Sequence, residues 1–314
     1  MCSSRATVLV QSIVKFKVKR VVIFDTLGMF IVVLENFKET YEQMVHFVIY
    51  PNLREHLKEV GKKGFSTRLG FFKSMTSTSQ PHSRHLAFEE TELSEIQKSI
   101  SSHMMALSQP GTDLQIHIEK KPPRKFSLPN FVGVTETVVD GDFLTASLIE
   151  EVVKKYPGQQ CLSLQTIYGD VEKNSEIFNV PNVSIQNAGH VAGSFIRNFN
   201  GKHLKLEKAS FSGPRVVKFL ENWKNGSGYQ NLENIILTLH NGYRFNEEEV
   251  LERFRQDQPT VPKEYHYSSK FSKNKTFNCE NAVNIKRASD GKVASVLIGP
   301  WEFKFLVWNE RTRS

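Results

Sequence analysis

The stretch FSGPRVVKFLENWKNGSGYQNLENIILTL, residues 211–239, decides how the chain reads. Val216, Phe219, Leu220 and Trp223 fall at i, i+3, i+4 and i+7, which puts four apolar side chains on one helical face. Ser212 and Pro214 are start signals for that helix, and Gly226 and Gly228 are stop signals. Ile235, Leu237 and Leu239 then alternate with Ile236, Thr238 and His240, the period of a strand with one mainly apolar face. A single helix–strand unit cannot bury its own apolar side, so the rest of the chain must supply neighbours.

Upstream, periodicity predicts them. A helix over 93–107 precedes a strand over 113–119. A strand at 134–139 is followed by a helix at 142–156, ended by Pro157-Gly158. Strands at 161–166, 181–186 and 203–208 alternate with a short helix at 170–178 and a helix at 191–199. Taking the first inward apolar residue of each strand, Leu114, Val138 and Leu162 are 24 residues apart, and Leu162, Val183 and Leu204 are 21 apart. Short strand–helix units at that pitch predict an α/β fold with a leucine-rich-repeat-like stack, although the full repeat consensus and its asparagine ladder are absent. An open βαβ sheet would also alternate strand and helix. Several links of about 15 residues leave little room for long crossover helices, which favours the stack.

The ends differ in character. Residues 2–14 read as one amphipathic helix, with a start that suggests a missing upstream part. Strands are predicted at 16–24 and 29–34, a helix at 53–60, and a long Gly/Ser/Thr-rich loop at 61–85. After a helix at 247–254, residues 258–278 read as a polar, proline-containing link. Strands at 283–287, 293–298 and 303–308, with Asp290-Gly291 at the first turn, predict a C-terminal antiparallel meander. The expected segments are therefore 1–15, an α/β region over 16–110, strand–helix units over 111–256, and a link with the meander over 257–314.

Composition narrows the function. With 314 residues, 39% hydrophobic and 24% charged, the chain has the means to build a real core and does not read as disordered. Cys2, Cys161 and Cys279 are odd in number, widely spaced and without a metal-ligand pattern, which suits a reducing intracellular setting, cytoplasmic or nuclear, and argues against a disulfide framework and structural zinc. The apolar run at 27–34 is too short to span a bilayer, so no membrane association is expected. No phosphate-binding, zincin or nucleophile-elbow motif is present, and the ten histidines are scattered. No catalytic residue, metal or cofactor is therefore expected, and an enzyme would need a site assembled from residues distant in sequence.

Two surfaces qualify for binding. If Leu114, Ile116 and Ile118 face the core, then Gln115, His117 and Glu119 face out. The same alternation gives Ser163 and Gln165, Ser184 and Gln186, Lys205 and Glu207, Thr238 and His240. That row is the expected target-binding face of such a stack, and equally its solvated face. The second surface is the loop 61–85, where Phe65, Phe71 and Phe72 lie among basic residues, with the basic link 120–125. It would serve a nucleic-acid-binding protein. The net charge of +8 permits that, but the Lys and Arg residues are spread rather than clustered.

Three pieces carry a family resemblance. SSRATVLVQSIVKFKVKRVVI resembles the last helix and following strand of an F-box. Residues 211–237, within an expected F-box-associated region of about 175–241, resemble the F-box-associated domain of the nematode F-box proteins at Phe219, Leu220, Trp223, Gly226, Ser227, Leu232 and Glu233. NIKRASDGKVASVLI with FKFLVW resembles the closing I-x-R-x-D-G and F-x-V-W of that domain. The resemblance implies a substrate-recognition subunit of an SCF-type cullin–RING ubiquitin ligase. A Skp-type adaptor would bind at an F-box remnant including Ser3, Ser4, Arg5, Leu9 and Val10, and the C-terminal region would hold an unidentified target protein through the sheet face. Only the final part of the F-box pattern is present, and Ala6-Thr7 stand where a second basic residue belongs.

Overall fold

A computed structural model describes residues 20–26, 29–35, 41–50, 70–72, 84–89, 93–108, 110–120, 128–141, 144–256, 258–269, 271–309 and 312. The expected helices at 2–14 and 53–60, the adaptor-binding remnant, and most of the loop 61–85 and the link 120–125 lie outside these residues. The chain forms two compact units: residues 1–140 with 155–159, and residues 141–154 with 160–314. Both are α/β. Among the described residues no helix is long and apolar enough to cross a membrane.

The first unit is a mixed sheet. Its strands are β1 (Arg20–Thr26), β2 (Met29–Glu35), β3 (Tyr41–Tyr50), β4 (Gly70–Phe72), β5 (Arg84–Glu89), β6 (Asp113–Lys120) and β7 (Glu136–Gly141), in the order β7-β6-β1-β2-β3-β5-β4. β1 pairs parallel with β6 and antiparallel with β2. Val21, Val22 and Ile23 are all buried, the continuous apolar run of a strand covered on both faces. Helix α1 (Leu93–Leu107) buries polar Gln97 and Ser101 with a purpose. Gln97 Oε1 accepts from Asn130 N at 2.8 Å and Ser101 Oγ from Val132 N at 3.0 Å, so the helix supplies partners to irregular backbone that has no ladder.

Three sequence expectations are corrected here. Residues 41–50 form a strand where no element was expected, and 84–89 form another at the end of the expected loop. In β7 the inward residues are Thr137 and Val139, both fully buried, while Val138 is half-buried. The strand is offset by one residue from the expected alternation, and a one-residue slip exchanges the faces.

The second unit holds β8 (Cys161–Thr166), β9 (Asn182–Asn187), β10 (His203–Ala209) and β11 (Asn234–Leu239), paired parallel in that order. β16 (Glu302–Val307) joins β11 antiparallel, followed by β15 (Val293–Ile298) and β14 (Val283–Lys286). Leu162, Leu164, Val183, Ile185, Leu204, Leu206, Ile235 and Leu237 are all buried, each stabilising the fold by about 2 kcal/mol. Helices α2 (Ala146–Lys155), α3 (Ala192–Asn198) and α4 (Gly213–Lys224) each add buried apolar side chains, as does a 3-10 turn at Glu176–Asn179 in place of the longer helix expected at 170–178.

Backbone outside the strands is also tied from one unit of sequence to the next. Gln160 O accepts from Asn182 N and Nδ2, Pro181 O from Lys202 N and His203 N, and Lys202 O from Glu233 N and Asn234 N. Asn200 Nδ2 donates to Asn179 Oδ1 at 3.2 Å, and Asn231 Nδ2 to Asn200 O at 3.2 Å. The segments leading into β9, β10 and β11 thus satisfy their polar groups on the preceding segment.

The α4 stretch folds as its spacing dictates. Val216, Phe219, Leu220 and Trp223 are buried. Pro214 sits in the first turn, whereas Ser212 flanks it without a side-chain cap bond. At the other end Gly226 N donates to Trp223 O and Ser227 N to Asn222 O, with Gly226 at φ +75°, which is the glycine-terminated Schellman ending. Helix α5 (Glu247–Leu251) is shorter than expected and runs into a 3-10 turn at Glu252–Phe254.

The polar link expected at 258–278 is instead a β-hairpin, β12 (Glu264–Ser269) with β13 (Ser272–Asn278). Tyr265 and Tyr267 are buried with Cys279, Leu306 and Trp308, and Ile236, Phe277 and Leu297 pack against that cluster. Ile236 and Leu306 lie on the side of the sheet opposite Ile235 and Phe305, so the hairpin covers part of the face expected to be open.

Candidate protein-interaction surface

The second unit brings most of the sequence-predicted face residues together. Ser163 pairs with Ser184 across β8 and β9, and Ser184 with Lys205 across β9 and β10, so the three form one cross-strand row. Gln165, Gln186 and Glu207 follow two residues on. All are half-buried except Gln186, which is exposed. Lys205 Nζ lies 2.6 Å from Glu207 Oε1, a partly solvated pair worth at most about 1 kcal/mol.

The row does not continue as an open polar face. Its next position on β11 is Ile236, which packs under the hairpin. On the same side of the sheet, His203 is buried, with the Tyr267 ring edge-on at 6.2 Å. Asn234 Nδ2 donates to His203 Nδ1, and Glu233 Oε2 lies 3.6 Å from His203 Nε2. Burial lowers the pKa of His203, and the nearby Glu233 carboxylate only partly offsets this. The expected face is therefore divided into an open part on β8–β10 and a part closed by the hairpin. The alternation Tyr265, Tyr267 and then Phe277, Cys279 was the available signal for the hairpin.

In the first unit, Gln115 Nε2 donates to Glu136 Oε2 at 3.1 Å, and His117 Nε2 lies 2.6 Å from Asp140 Oδ2. Glu136 is buried and its Oε2 also lies 2.8 Å from Arg20 Nε. Gln115 and His117 thus bond to the neighbouring strand, and Glu119 is half-buried on the same side.

Thr238 and His240 lead to a different surface. Thr238 Oγ1 accepts from Lys208 N at 3.4 Å, and His240 N donates to Ala209 O at 3.0 Å. The β10–β11 register shifts between Leu206 and Ala209, and Lys208 there takes φ +50°. Next to it, Leu239 N donates to Trp301 O and Phe245 N to Pro300 O, so the 240–245 loop is bound to the β15–β16 turn. This margin exposes Tyr243 and Trp301, at 44% and 53%, and sets the Arg244 guanidinium 5.2 Å from the Trp301 ring centre. Sequence reasoning missed Tyr243, Arg244 and Trp301 because each falls just outside a periodic segment, and Lys208 because the bulge at the end of β10 leaves no mark on the alternation.

A second arginine–tryptophan contact lies in the interior. Arg287, fully buried, has its guanidinium 5.0 Å from the Trp223 ring centre. Its Nε and Nη2 donate to the two oxygens of Asp290 at 2.8 and 2.6 Å, and Nη1 donates to Tyr229 O at 2.9 Å. The hydrogen bonds from Arg287 hold the Asp290 carboxyl down at about 2. Ala288 N donates to Lys224 O at 2.8 Å, so the 287–291 turn also closes the C-terminal end of α4.

Elsewhere in the second unit a groove of about 640 Å³ is lined by Glu150, Glu151, Asp170, Glu172 and Glu176 with Lys154. Glu150 accepts from Ser175 Oγ and from Glu176 N, so its carboxylate serves the local turn. Among the described residues no group of three or more His, Cys, Asp or Glu is placed to hold a metal ion. Compared with protein-family models, with curated proteins and with solved structures, the chain matches none.

Proposed function

We propose that this chain is a protein-interaction module, the target-recognition part of an SCF-type cullin–RING ubiquitin ligase, and that its second unit is a leucine-rich-repeat-like stack. The observation that carries the reading is the Arg287–Trp223 joint. Trp223 and Gly226 come from one piece resembling the nematode F-box-associated domain, and Arg287, Asp290 and Gly291 from the other. Trp223 and Arg287 are 64 residues apart in the chain, yet the two pieces meet in one buried contact that also closes α4. Residues that resemble a family pattern for a physical reason should cooperate in this way. The bonds from each strand-leading segment to the one before it support the stack, including the Asn179–Asn200–Asn231 series, a short asparagine ladder that no consensus spacing announced.

Target protein would be held by the second unit, and a Skp-type adaptor by the F-box remnant. The test is affinity purification of the full-length protein from cells, with quantitative mass spectrometry and an RNA assay on the same eluate. Enrichment of a Skp-type adaptor and a cullin is expected. Recovery of neither overturns the ligase reading, and salt-sensitive recovery of RNA in their place favours a nucleic-acid-binding protein.

A further inference from the structure

We infer that the margin formed by the ends of β9, β10 and β11 and the β15–β16 turn is the docking surface of this module, and that its occupant is a short acidic segment of a target protein that also carries aromatic side chains. The inference rests on the interaction-module reading and adds where and what the module binds.

Six residues make the surface: His190, Lys208, His240, Tyr243, Arg244 and Trp301. Backbone hydrogen bonds join their segments. Gly189 N donates to Lys208 O, Ser210 N to Gly189 O, His240 N to Ala209 O, Tyr243 N to His240 O and Leu239 N to Trp301 O. All six are exposed. Large apolar side chains left singly on a surface need no explanation, but two exposed aromatics, one of them under the Arg244 guanidinium, at the C-terminal ends of parallel strands are a different matter. Tryptophan, tyrosine and arginine are the residue types that dominate binding energy at protein interfaces.

Lys208 supplies the second, independent observation. It holds a left-handed backbone at φ +50° within a β-bulge. That conformation costs a residue with a side chain about 1 kcal/mol, which glycine would avoid. Stability alone gives no reason to keep lysine there. A bulge re-aims a side chain, and here the re-aimed side chain is an exposed cation.

Charge decides the partner. The carboxylates carried by the adjoining strands are already engaged, Glu207 by Lys205 at 2.6 Å and Glu302 by Lys304 at 2.5 Å. Lys208 and Arg244 remain as permanent cations facing outward. Two such cations suit a segment with a few carboxylates. A nucleic acid, bound through many phosphate contacts, calls for a longer basic track. The faces of Trp301 and Tyr243 offer stacking area for aromatic side chains in the same segment.

The experiment is fluorescence anisotropy with the full chain and a labelled random Glu–Tyr copolymer, with labelled oligothymidylate as the nucleic-acid arm. Binding of the copolymer is expected, weakening with salt and falling about tenfold in each of Lys208→Glu, Arg244→Glu and Trp301→Ala. Lys218→Glu, at an exposed position of α4, is expected to bind as the parent does. Lys208→Gly is expected to melt at or above the parent temperature while binding less well, so that loss of binding is separated from loss of fold. Absence of copolymer binding, binding unaffected by the three margin variants, a larger loss in Lys218→Glu, or tighter binding of oligothymidylate each overturns the inference. Association with a Skp-type adaptor does not involve the margin. If Lys208→Glu/Arg244→Glu still co-purifies with adaptor and cullin, failure here leaves the module reading standing.

Discussion

Two arginines lie over two tryptophans in the same unit, at nearly the same distance, with opposite surroundings. Arg287 over Trp223 is fully buried, bonded to Asp290 and to Tyr229 O, and wedged at the end of α4. Arg244 over Trp301 is exposed, and the tryptophan keeps about half of its surface in water. Removing a guanidinium from water is costly unless every donor finds a partner, so the buried pair persists only as part of a completed network. The exposed pair carries no such requirement and contributes little to folding. The same chemical contact is thus architecture in one place and a surface available to a partner in the other.

The largest effect should come from breaking the buried pair. Arg287→Ala is expected to destabilise the chain by about 3–5 kcal/mol in urea unfolding, since it strands Tyr229 O and opens space beside Trp223. Arg287→Lys should recover only part of this, because an ammonium cannot reproduce the fork that meets both Asp290 oxygens. A loss below about 1 kcal/mol for Arg287→Ala would show that the joint is incidental.

Gly226→Ala should come next, at about 2 kcal/mol. A Cβ there would stand 2.7 Å from the Ser289 side chain, and the backbone sits at φ +75°. Gly226→Ala combined with Ser289→Gly should relieve the contact and leave the backbone cost of about 1 kcal/mol. Comparison of the single and double variants in the same unfolding assay separates the two terms.

Two pH dependences divide the buried network from the hairpin. The Asp290 pKa is depressed in the folded state to about 2, from its ordinary 3.8. Its contribution is present above pH 3.8 and is lost as pH falls through about 2. The His203 pKa is lowered by burial under the hairpin, so folding favours the neutral ring. That contribution is intact above the ordinary 6.5 and declines as pH falls below it, because the unfolded chain then binds the proton more readily. His203→Gln should flatten the profile near pH 6.5, and Asp290→Asn should alter only the acid limb. A profile unchanged by His203→Gln would mean that the ring is not held neutral by the fold.

What the sequence disclosed follows from periodicity. The α4 stretch, strands β8 to β11 and the meander each bury one regular face, and a regular face leaves a pattern at 3.6 or 2 residues. β3 was missed because a strand that mixes Met44, Val45, Phe47 and Ile49 with Glu42, Gln43 and His46 has no one-sided pattern. The hairpin was missed for another reason. Lys263, Glu264, Lys273 and Lys275 give its segment the composition of a solvated link, while two tyrosines and a phenylalanine do the packing. Part of the candidate interaction face was legible, and most of the margin was not. Thr238 and His240 could be placed by alternation from Leu237, but Lys208, Arg244 and Trp301 are brought together by a bulge and two turns, which have no period.

The smallest expected effect is the sharpest test of the comparison. Arg244→Ala should change unfolding stability by no more than about 0.5 kcal/mol, since an exposed cation–π contact is worth about 0.5–1 kcal/mol and losing it frees the arginine's rotamers. Trp301→Ala should cost slightly more, because part of the ring is buried, but the backbone bonds from Leu239 N and Phe245 N go to carbonyls at 301 and 300 and survive the change. If Arg244→Ala instead destabilised the chain as strongly as Arg287→Ala, the margin would be a second structural joint, and the argument that its aromatic–cation pair is held ready for a partner would fail. A near-silent Arg244→Ala in the melt, set beside a loss of copolymer binding in Arg244→Glu, is the combination that only a surface built for binding produces.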